Sequence, residues 1–414
     1  MHYFQYKNNT LFCEEVPLES IAQKVGTPTY VYSTRTIERH YKAYQEALGN
    51  HPHLICYSVK ANSNLSILKL LASLGAGFDI VSQGELFRVL KAGGDPKKVV
   101  FSGVGKTAQE LEFGLSNKIL SFNVESLQEL KLLNEVATRL KQKAPVSIRV
   151  NPDIDPKTHP YISTGLQENK FGIPLTEAKQ IYLNAKDYPA IEFIGIDCHI
   201  GSQMLSLQPI IDTLKSLRSF ITELKKHQIE IRHLNLGGGL GIRYNEESPP
   251  TPQDYISEIF PHTQDLNVKL LIEPGRTIMG NAGVLLTRVL YTKQTLEKSF
   301  VIVDSAMNDL IRPSLYNAYQ DIWPATEKKN EDKKTVDVVG PICESGDFLA
   351  KNRPLPLLQS NDLVCVMSSG AYGFSMASNY NSRRRPAEVL VSGSDFIVIR
   401  KRESFDDLIA GEIL

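Results

Sequence analysis

Lys60 closes the run Leu54-Ile55-Cys56-Tyr57-Ser58-Val59, which is otherwise mostly apolar. A lysine in such a place either snorkels to solvent or is buried for a reason. Burial lowers a lysine pKa, and the neutral amine is the form that makes a Schiff base with a carbonyl. His199 closes another run and is followed by Gly201-Ser202. It is either an ordinary polar residue near the surface or a ring that stacks on an aromatic cofactor. In the second case the Gly-Ser turn could donate N–H and O–H groups to a phosphate. Gly237-Gly238-Gly239-Leu240-Gly241 is a third candidate. Turns rich in glycine let backbone amides approach phosphate oxygens closely, although they also simply reverse a chain. The Ile242-Arg243-Tyr244-Asn245 that follows does not open a helix, which makes a poor dinucleotide fingerprint. In Glu273-Pro274-Gly275-Arg276 a buried carboxylate would need a partner, either Arg276 or the protonated nitrogen of a pyridine ring.

Further along stand Asp309-Leu310-Ile311-Arg312-Pro313-Ser314-Leu315-Tyr316, Cys343-Glu344-Ser345-Gly346-Asp347 and Gly370-Ala371-Tyr372-Gly373. A cysteine beside two carboxylates has its thiolate disfavoured, which suits a proton donor better than a nucleophile. The alternative is a small core residue in a loop.

These residues need a scaffold, and the strand pattern supplies one. Short β-rich runs occur at 54–60, 77–82, 99–103, 121–124, 146–151, 193–199, 233–237 and 269–273. Their near-continuous apolar character fits a sheet covered on both faces. Apolar residues at helical spacing fill 65–74, 84–92, 127–140 and 210–224 between them. This alternation predicts an α/β chain with a (β/α)₈ TIM-type barrel, rather than an open doubly wound sheet. The polar and glycine-rich clusters fall at strand ends, where barrel enzymes keep their active sites. After 276 the runs 283–290, 299–304, 362–367, 389–391 and 395–399 follow without long helices, which predicts an all-β C-terminal domain. Residues 1–34 look strand-like, especially Thr29-Tyr30-Val31-Tyr32, and could join that sheet. The expected domains are therefore a barrel at 35–275 and a β domain from 1–34 and 276–414. The charge run from Lys328 to Lys334 reads as a solvated loop.

A length of 414 residues suggests two domains, and a formal net charge of zero gives no reason to expect nucleic acid as a partner. The N-terminus lacks a signal-peptide pattern, and no stretch approaches the ~18 apolar residues of a membrane span. Five cysteines without CxxC spacing argue against a disulfide framework or a zinc site and favour the cytoplasm. No metal is expected.

Taken together, the segments 57–62, 78–86, 198–203, 236–241, 273–276, 343–347 and 370–373 resemble, in order, the barrel-type pyridoxal-phosphate-dependent basic amino-acid decarboxylases, and among them the diaminopimelate decarboxylases. Gln83 sits where that family often has glycine. The resemblance implies that Lys60 carries pyridoxal 5'-phosphate as a Schiff base, that His199 stacks on its ring and that Glu273 pairs with its ring nitrogen. Ser202, Gly239, the Gly275-Arg276 backbone and Tyr372 would surround the phosphate. Arg276, Arg312, Tyr316, Glu344 and Tyr372 would contact the substrate. Cys343 would be the proton donor, reaching the site from the second subunit of a homodimer, with Lys170 and Asp347 paired across the interface. The implied reaction is decarboxylation of meso-2,6-diaminopimelate to L-lysine, in lysine biosynthesis. Arg312 and Arg276 are forks suited to a distal carboxylate and Glu344 to an ammonium, whereas an ornithine or arginine decarboxylase needs no cation there.

Two other enzymatic readings remain: decarboxylation of another basic amino acid, and racemisation on the same barrel. A non-catalytic regulator would be expected to lack Lys60 or Cys343, and both are present.

Overall fold

The structure is a computed structural model that describes residues 2–152, 154, 170–329 and 332–414. Eight parallel strands form a closed ring: β1 (His53–Ser58), β2 (Gly77–Ile80), β3 (Val99–Phe101), β4 (Ser121–Val124), β5 (Ala144–Asn151), β6 (Ile191–Asp197), β7 (His233–Asn235) and β8 (Lys269–Ile272). Each pairs with the next, and β8 pairs back onto β1. The eight expected runs are these eight strands. A ring has no edge, so every strand has a partner on both sides.

Helices Leu65–Ser73, Gln83–Lys91, Ala108–Ser116, Leu127–Arg139, Leu175–Leu183, Gln208–Lys226 and Pro252–Thr263 run between the strands. Five of their starts are set by capping side chains, which satisfy N–H groups that the helix itself leaves open. Asn64, Ser82 and Ser126 each accept from a backbone N–H of the first turn. Thr107 with Glu110, and Thr251 with Asp254, form reciprocal capping boxes. Gln83 opens its helix, and its N–H donates to the Glu110 carboxylate at 3.1 Å.

The β unit centres on a seven-strand path in the order Phe348–Pro356, Lys333–Val339, Ser299–Val303, Gly283–Gln294, Thr29–Ser33, Ala387–Ser392 and Asp395–Arg400. Thr29–Ser33 lies inside this path, antiparallel to Gly283–Gln294 and parallel to Ala387–Ser392. The N-terminal segment thus completes a sheet built mostly from the C-terminal part. That segment is more varied than strand-like, because Leu18–Val25 is a helix whose Leu18, Ile21 and Ala22 join the core with Val31, Val284, Leu286 and Val389. The charge run also differs from expectation at its end, where Lys333 and Lys334 open a strand; Asn330 and Glu331 lie outside the described residues.

Two compact units result. One comprises the chain up to His40, Ile242–Glu247 and Thr277–Leu414; the other comprises Tyr41–Gly241 and Ser248–Arg276. Among the described residues no helix is long and apolar enough to cross a membrane.

Candidate active site

In the barrel unit, β1 ends at Ser58 and the chain bends through a 3₁₀ turn, Val59–Ala61, which carries Lys60 just past the strand. Of the two settings open to it, Lys60 takes the more exposed one: its side chain is 38% exposed, and the buried group is its partner. Its Nζ lies 2.7 Å from Oδ2 of Asp79, a fully buried carboxylate on β2. Ser58 Oγ donates to the same oxygen at 2.9 Å. Asp79 Oδ1 is buried without a hydrogen-bond partner among the described residues. Asp79 therefore fixes where the Lys60 amine points.

Glu273 follows β8 and is buried. Its Oε1 accepts from Asn235 Nδ2 at 2.6 Å, and Asn235 Oδ1 in turn accepts the Gly237 N–H at 3.0 Å. Burial pushes the Glu273 carboxyl well above the usual range, and the nearby Asp79 and Asp197 push it further. Asp197, at the end of β6, is pushed up to about 7, mainly by burial. Arg149 on β5 opposes this, with Nη1 3.0 Å from Glu125 and Nε 3.9 Å from Asp197. Asp79, Glu125, Glu129, Asp197 and Glu273 thus share an interior with Lys60, Lys106 and Arg149, Lys106 lying 2.7 Å from Glu129. With more carboxyls than cations, this interior suits a further cation. Arg276 donates from Nε and Nη2 to Ser202 Oγ at 3.3 and 2.9 Å.

His199 stands two residues past β6 and is half-buried. Burial, with Arg149 and Lys60 nearby, pushes its pKa well below the usual value, so the ring is neutral at ordinary pH. The glycine turn packs directly on it: a Cβ at Gly237, where φ is +62°, would lie 2.6 Å from His199 Nδ1. A Cβ at Gly238 would lie 2.3 Å from the Glu273 carbonyl oxygen, and one at Gly239 (φ +115°) 2.4 Å from that of Gly201. Gly275 is similarly held against Ser58, at 2.9 Å. The structure thus brings Lys60, His199, Gly239, Glu273, Gly275, and the Ser202–Arg276 pair to the same strand ends of one barrel.

This arrangement fits pyridoxal phosphate. The lysine is accessible, the imidazole is uncharged, and the raised carboxyl would ionise beside a pyridinium. The glycine turns leave backbone where side chains would otherwise fill the space.

In the β unit, Arg312 opens the short helix Arg312–Tyr316 and is only 6% exposed. Its Nε is buried without a partner, and its guanidinium makes no hydrogen bond or ion pair among the described residues. Instead it faces three rings, with centroids at 5.4 Å (Tyr244), 5.7 Å (Tyr316) and 5.9 Å (Tyr372). Tyr316 is four residues from Arg312 and shares its helical face. Tyr372 has φ +56°, a strained setting for a bulky residue.

Cys343 and Glu344 are exposed on a loop. Cys343 N–H donates to Asn381 Oδ1 at 3.0 Å, and Glu344 Oε2 accepts from Tyr380 at 2.8 Å. Buried Asp347 shapes this loop: Oδ1 accepts the Met307 N–H at 2.8 Å and Oδ2 the Ile342 N–H at 2.7 Å. Lys170 is an exposed residue of the barrel unit, with its ammonium 5.4 Å from the Phe171 ring.

Five residues were not singled out from sequence: Asp79, Arg149, Asp197, Asn235 and Tyr244. The first four sit within or at the ends of runs that are otherwise apolar, which is the signal that could have found them. Tyr244 carried no such signal.

The pyridoxal-binding domain of the pyridoxal-dependent decarboxylases matches residues 34–280. This chain belongs to that family. Its full-length relatives include the diaminopimelate decarboxylase of Pseudomonas aeruginosa, 55% identical over 414 residues, which span 100% of this chain and 99% of that protein. That of Aquifex aeolicus is 48% identical, over 98% of this chain and 96% of that protein. Among solved structures, diaminopimelate decarboxylase from M. jannaschii in co-complex with L-lysine superposes with a TM-score of 0.94 at 39% identity, covering 99% of this chain and 98% of that one. The Helicobacter pylori enzyme complexed with L-lysine gives 0.92 at 46% identity, covering 95% and 98%.

Proposed function

We propose that this chain decarboxylates meso-2,6-diaminopimelate to L-lysine and carbon dioxide, with pyridoxal phosphate held on Lys60. The observation that carries the substrate assignment is Arg312, a nearly buried guanidinium without a hydrogen bond or ion pair among the described residues. A buried cation needs compensation, and a planar fork of five donors suits a carboxylate. Diaminopimelate has a second carboxylate that is not consumed, and ornithine and arginine have none. The lysine complexes of similar enzymes support the same reading, since lysine retains that group.

Lys60 and Glu273 would hold the cofactor at its carbonyl carbon and ring nitrogen, and His199 would cover one face of the ring. Ser202, Gly239, Gly275, Arg276 and Tyr372 would hold its phosphate. When bound, the cofactor supplies the electron sink that accepts the pair left by the departing carboxylate. Asp79 stabilises the charged Lys60 amine whenever substrate displaces it. Arg312, with Arg276, Tyr316 and Tyr372, binds and orients the distal carboxylate, and Glu344 takes the distal ammonium. Orientation matters because the breaking bond must stand perpendicular to the conjugated plane. Cys343 delivers the proton from Sγ to the substrate carbon.

The loop bearing Cys343 and Glu344 is exposed, which supports a homodimer in which both residues serve the partner's Lys60. Asp347 keeps that loop in shape, and a contact with Lys170 of the other subunit would add to that role. Five free cysteines support a cytoplasmic setting.

Incubation of the protein and pyridoxal phosphate with meso-diaminopimelate should yield lysine and carbon dioxide in equal amounts. Turnover of ornithine or arginine in its place would contradict the substrate assignment.

A further inference from the structure

A buried cation in a protein is ordinarily neutralised by a carboxylate. Arg312 has no such partner among the described residues; its surroundings are the rings of Tyr244, Tyr316 and Tyr372. The difference has a functional consequence. A carboxylate would compete with the substrate for the guanidinium's donors. A ring face stabilises the charge through its quadrupole and leaves those donors open.

Tyr244 has the nearest of the three ring centroids, and it is the one that the family resemblance gave no role. It is buried, at 9% exposure, on the segment Ile242–Glu247 that belongs to the same compact unit as Arg312. Local contacts fix it firmly. The Glu247 carboxylate accepts the backbone N–H groups of Tyr244 and Asn245 at 3.0 and 2.6 Å. Arg243 Nε donates to the Asn245 carbonyl at 2.7 Å, and Asn281 Nδ2 to the Arg243 carbonyl at 3.1 Å.

We infer that Tyr244 is a specificity-determining positioning residue: its ring face stabilises and aims the Arg312 guanidinium without occupying its donors, so that it can bind a substrate carboxylate. The inference rests on the reading that Arg312 receives the distal carboxylate.

The test compares two ligands of the holoenzyme with the same diamine chain, lysine and cadaverine, of which only lysine carries the carboxylate. Dissociation constants come from calorimetry, and the cadaverine-to-lysine ratio is the readout. Tyr244→Leu should cut the ratio about tenfold by weakening lysine while leaving cadaverine unchanged. Tyr244→Phe keeps the ring and should stay within about twofold of the unmodified protein. Should Tyr244→Leu fail to fold, fluorinated phenylalanines at 244 weaken the ring face stepwise at nearly constant shape, and the ratio should fall stepwise with them. Arg312→Ala is the control and should abolish the preference. If Arg312→Ala retains it, the reading of Arg312 fails and this inference fails with it. If Arg312→Ala loses it while the Tyr244→Leu or fluorinated proteins keep the original ratio, the role of Tyr244 alone is overturned. Equal losses in Tyr244→Phe and Tyr244→Leu would also overturn it, by assigning the effect to the hydroxyl.

Discussion

The barrel's interior and the surroundings of Arg312 show opposite excesses of ionisable groups. In the barrel interior Asp79, Glu125, Glu129, Asp197 and Glu273 outnumber Lys60, Lys106 and Arg149, and burial holds Glu273 well above its usual pKa. In the β unit a single guanidinium is enclosed by aromatic rings with no carboxylate paired to it among the described residues. One region is suited to an added cation and the other to an added anion. A carboxyl that burial holds neutral ionises beside an added cation, and an unpaired guanidinium is compensated by an added anion. On the proposed reading, a protonated pyridine ring and a substrate with a spare carboxylate would answer the two needs.

The comparison breaks most visibly if the two regions belong to unrelated functions. On the proposed reading, Lys60→Ala removes the cofactor's attachment and Cys343→Ala the proton donor, so each variant alone should be nearly inactive. If Cys343 serves the partner's Lys60, mixing the two variants with full subunit exchange gives one intact site per heterodimer. Random pairing should then restore about a quarter of the original activity. Exchange is verified by tagging one variant and recovering both. No recovery after complete exchange would show that Cys343 does not act across subunits.

Arg312→Ala sharpens the comparison from the β side. Removing one partner of a desolvated ion pair costs roughly 2–5 kcal/mol. Diaminopimelate turnover should fall accordingly, with a much smaller loss for a slow substrate that lacks the distal carboxylate. Equal loss on both would make Arg312 structural.

A smaller effect concerns pH. Glu273 and Asp197 have folded-state pKa values raised above the unfolded ones, Asp197 to about 7. A group of this kind lends its stability below the unfolded pKa, near 4, and loses it as pH rises through the folded value. These two groups make the cofactor-free protein less stable at pH 8 than at pH 6. Glu85 and Asp309, both raised to about 7, act in the same direction, and the lowered His2, His199 and His233 act in the opposite one, so the informative quantity is the difference made by cofactor. A pyridinium beside Glu273 should flatten the slope. An identical slope with and without cofactor would place the cation elsewhere.

The fold was legible because both periodicities were strong. All eight barrel strands announced themselves as buried apolar runs, and Thr29–Ser33 was recognisable as a strand of the β unit. The helix Leu18–Val25 was missed because it is short and lies among strand-forming segments. Lys60, His199 and Glu273 stood out because each is polar at the end of an apolar run. What sequence could not give was pairing. That Lys60 meets Asp79, that Asn235 holds Glu273, and that Arg276 turns to Ser202 depend on closing the barrel, which brings together residues far apart in the chain. Tyr244 was hidden for the same reason: it reaches Arg312 across 68 positions of sequence, and nothing local distinguishes it from a core tyrosine.

The most direct test of the central claim is to locate the cofactor. The purified holoenzyme should absorb in the visible range as a Schiff base and lose that band on borohydride reduction. Peptide mapping of the reduced protein should then place the pyridoxyl group on Lys60, and added meso-diaminopimelate should protect that residue from labelling. A pyridoxyl group on any other lysine, Lys106 inside the same barrel included, would contradict the account.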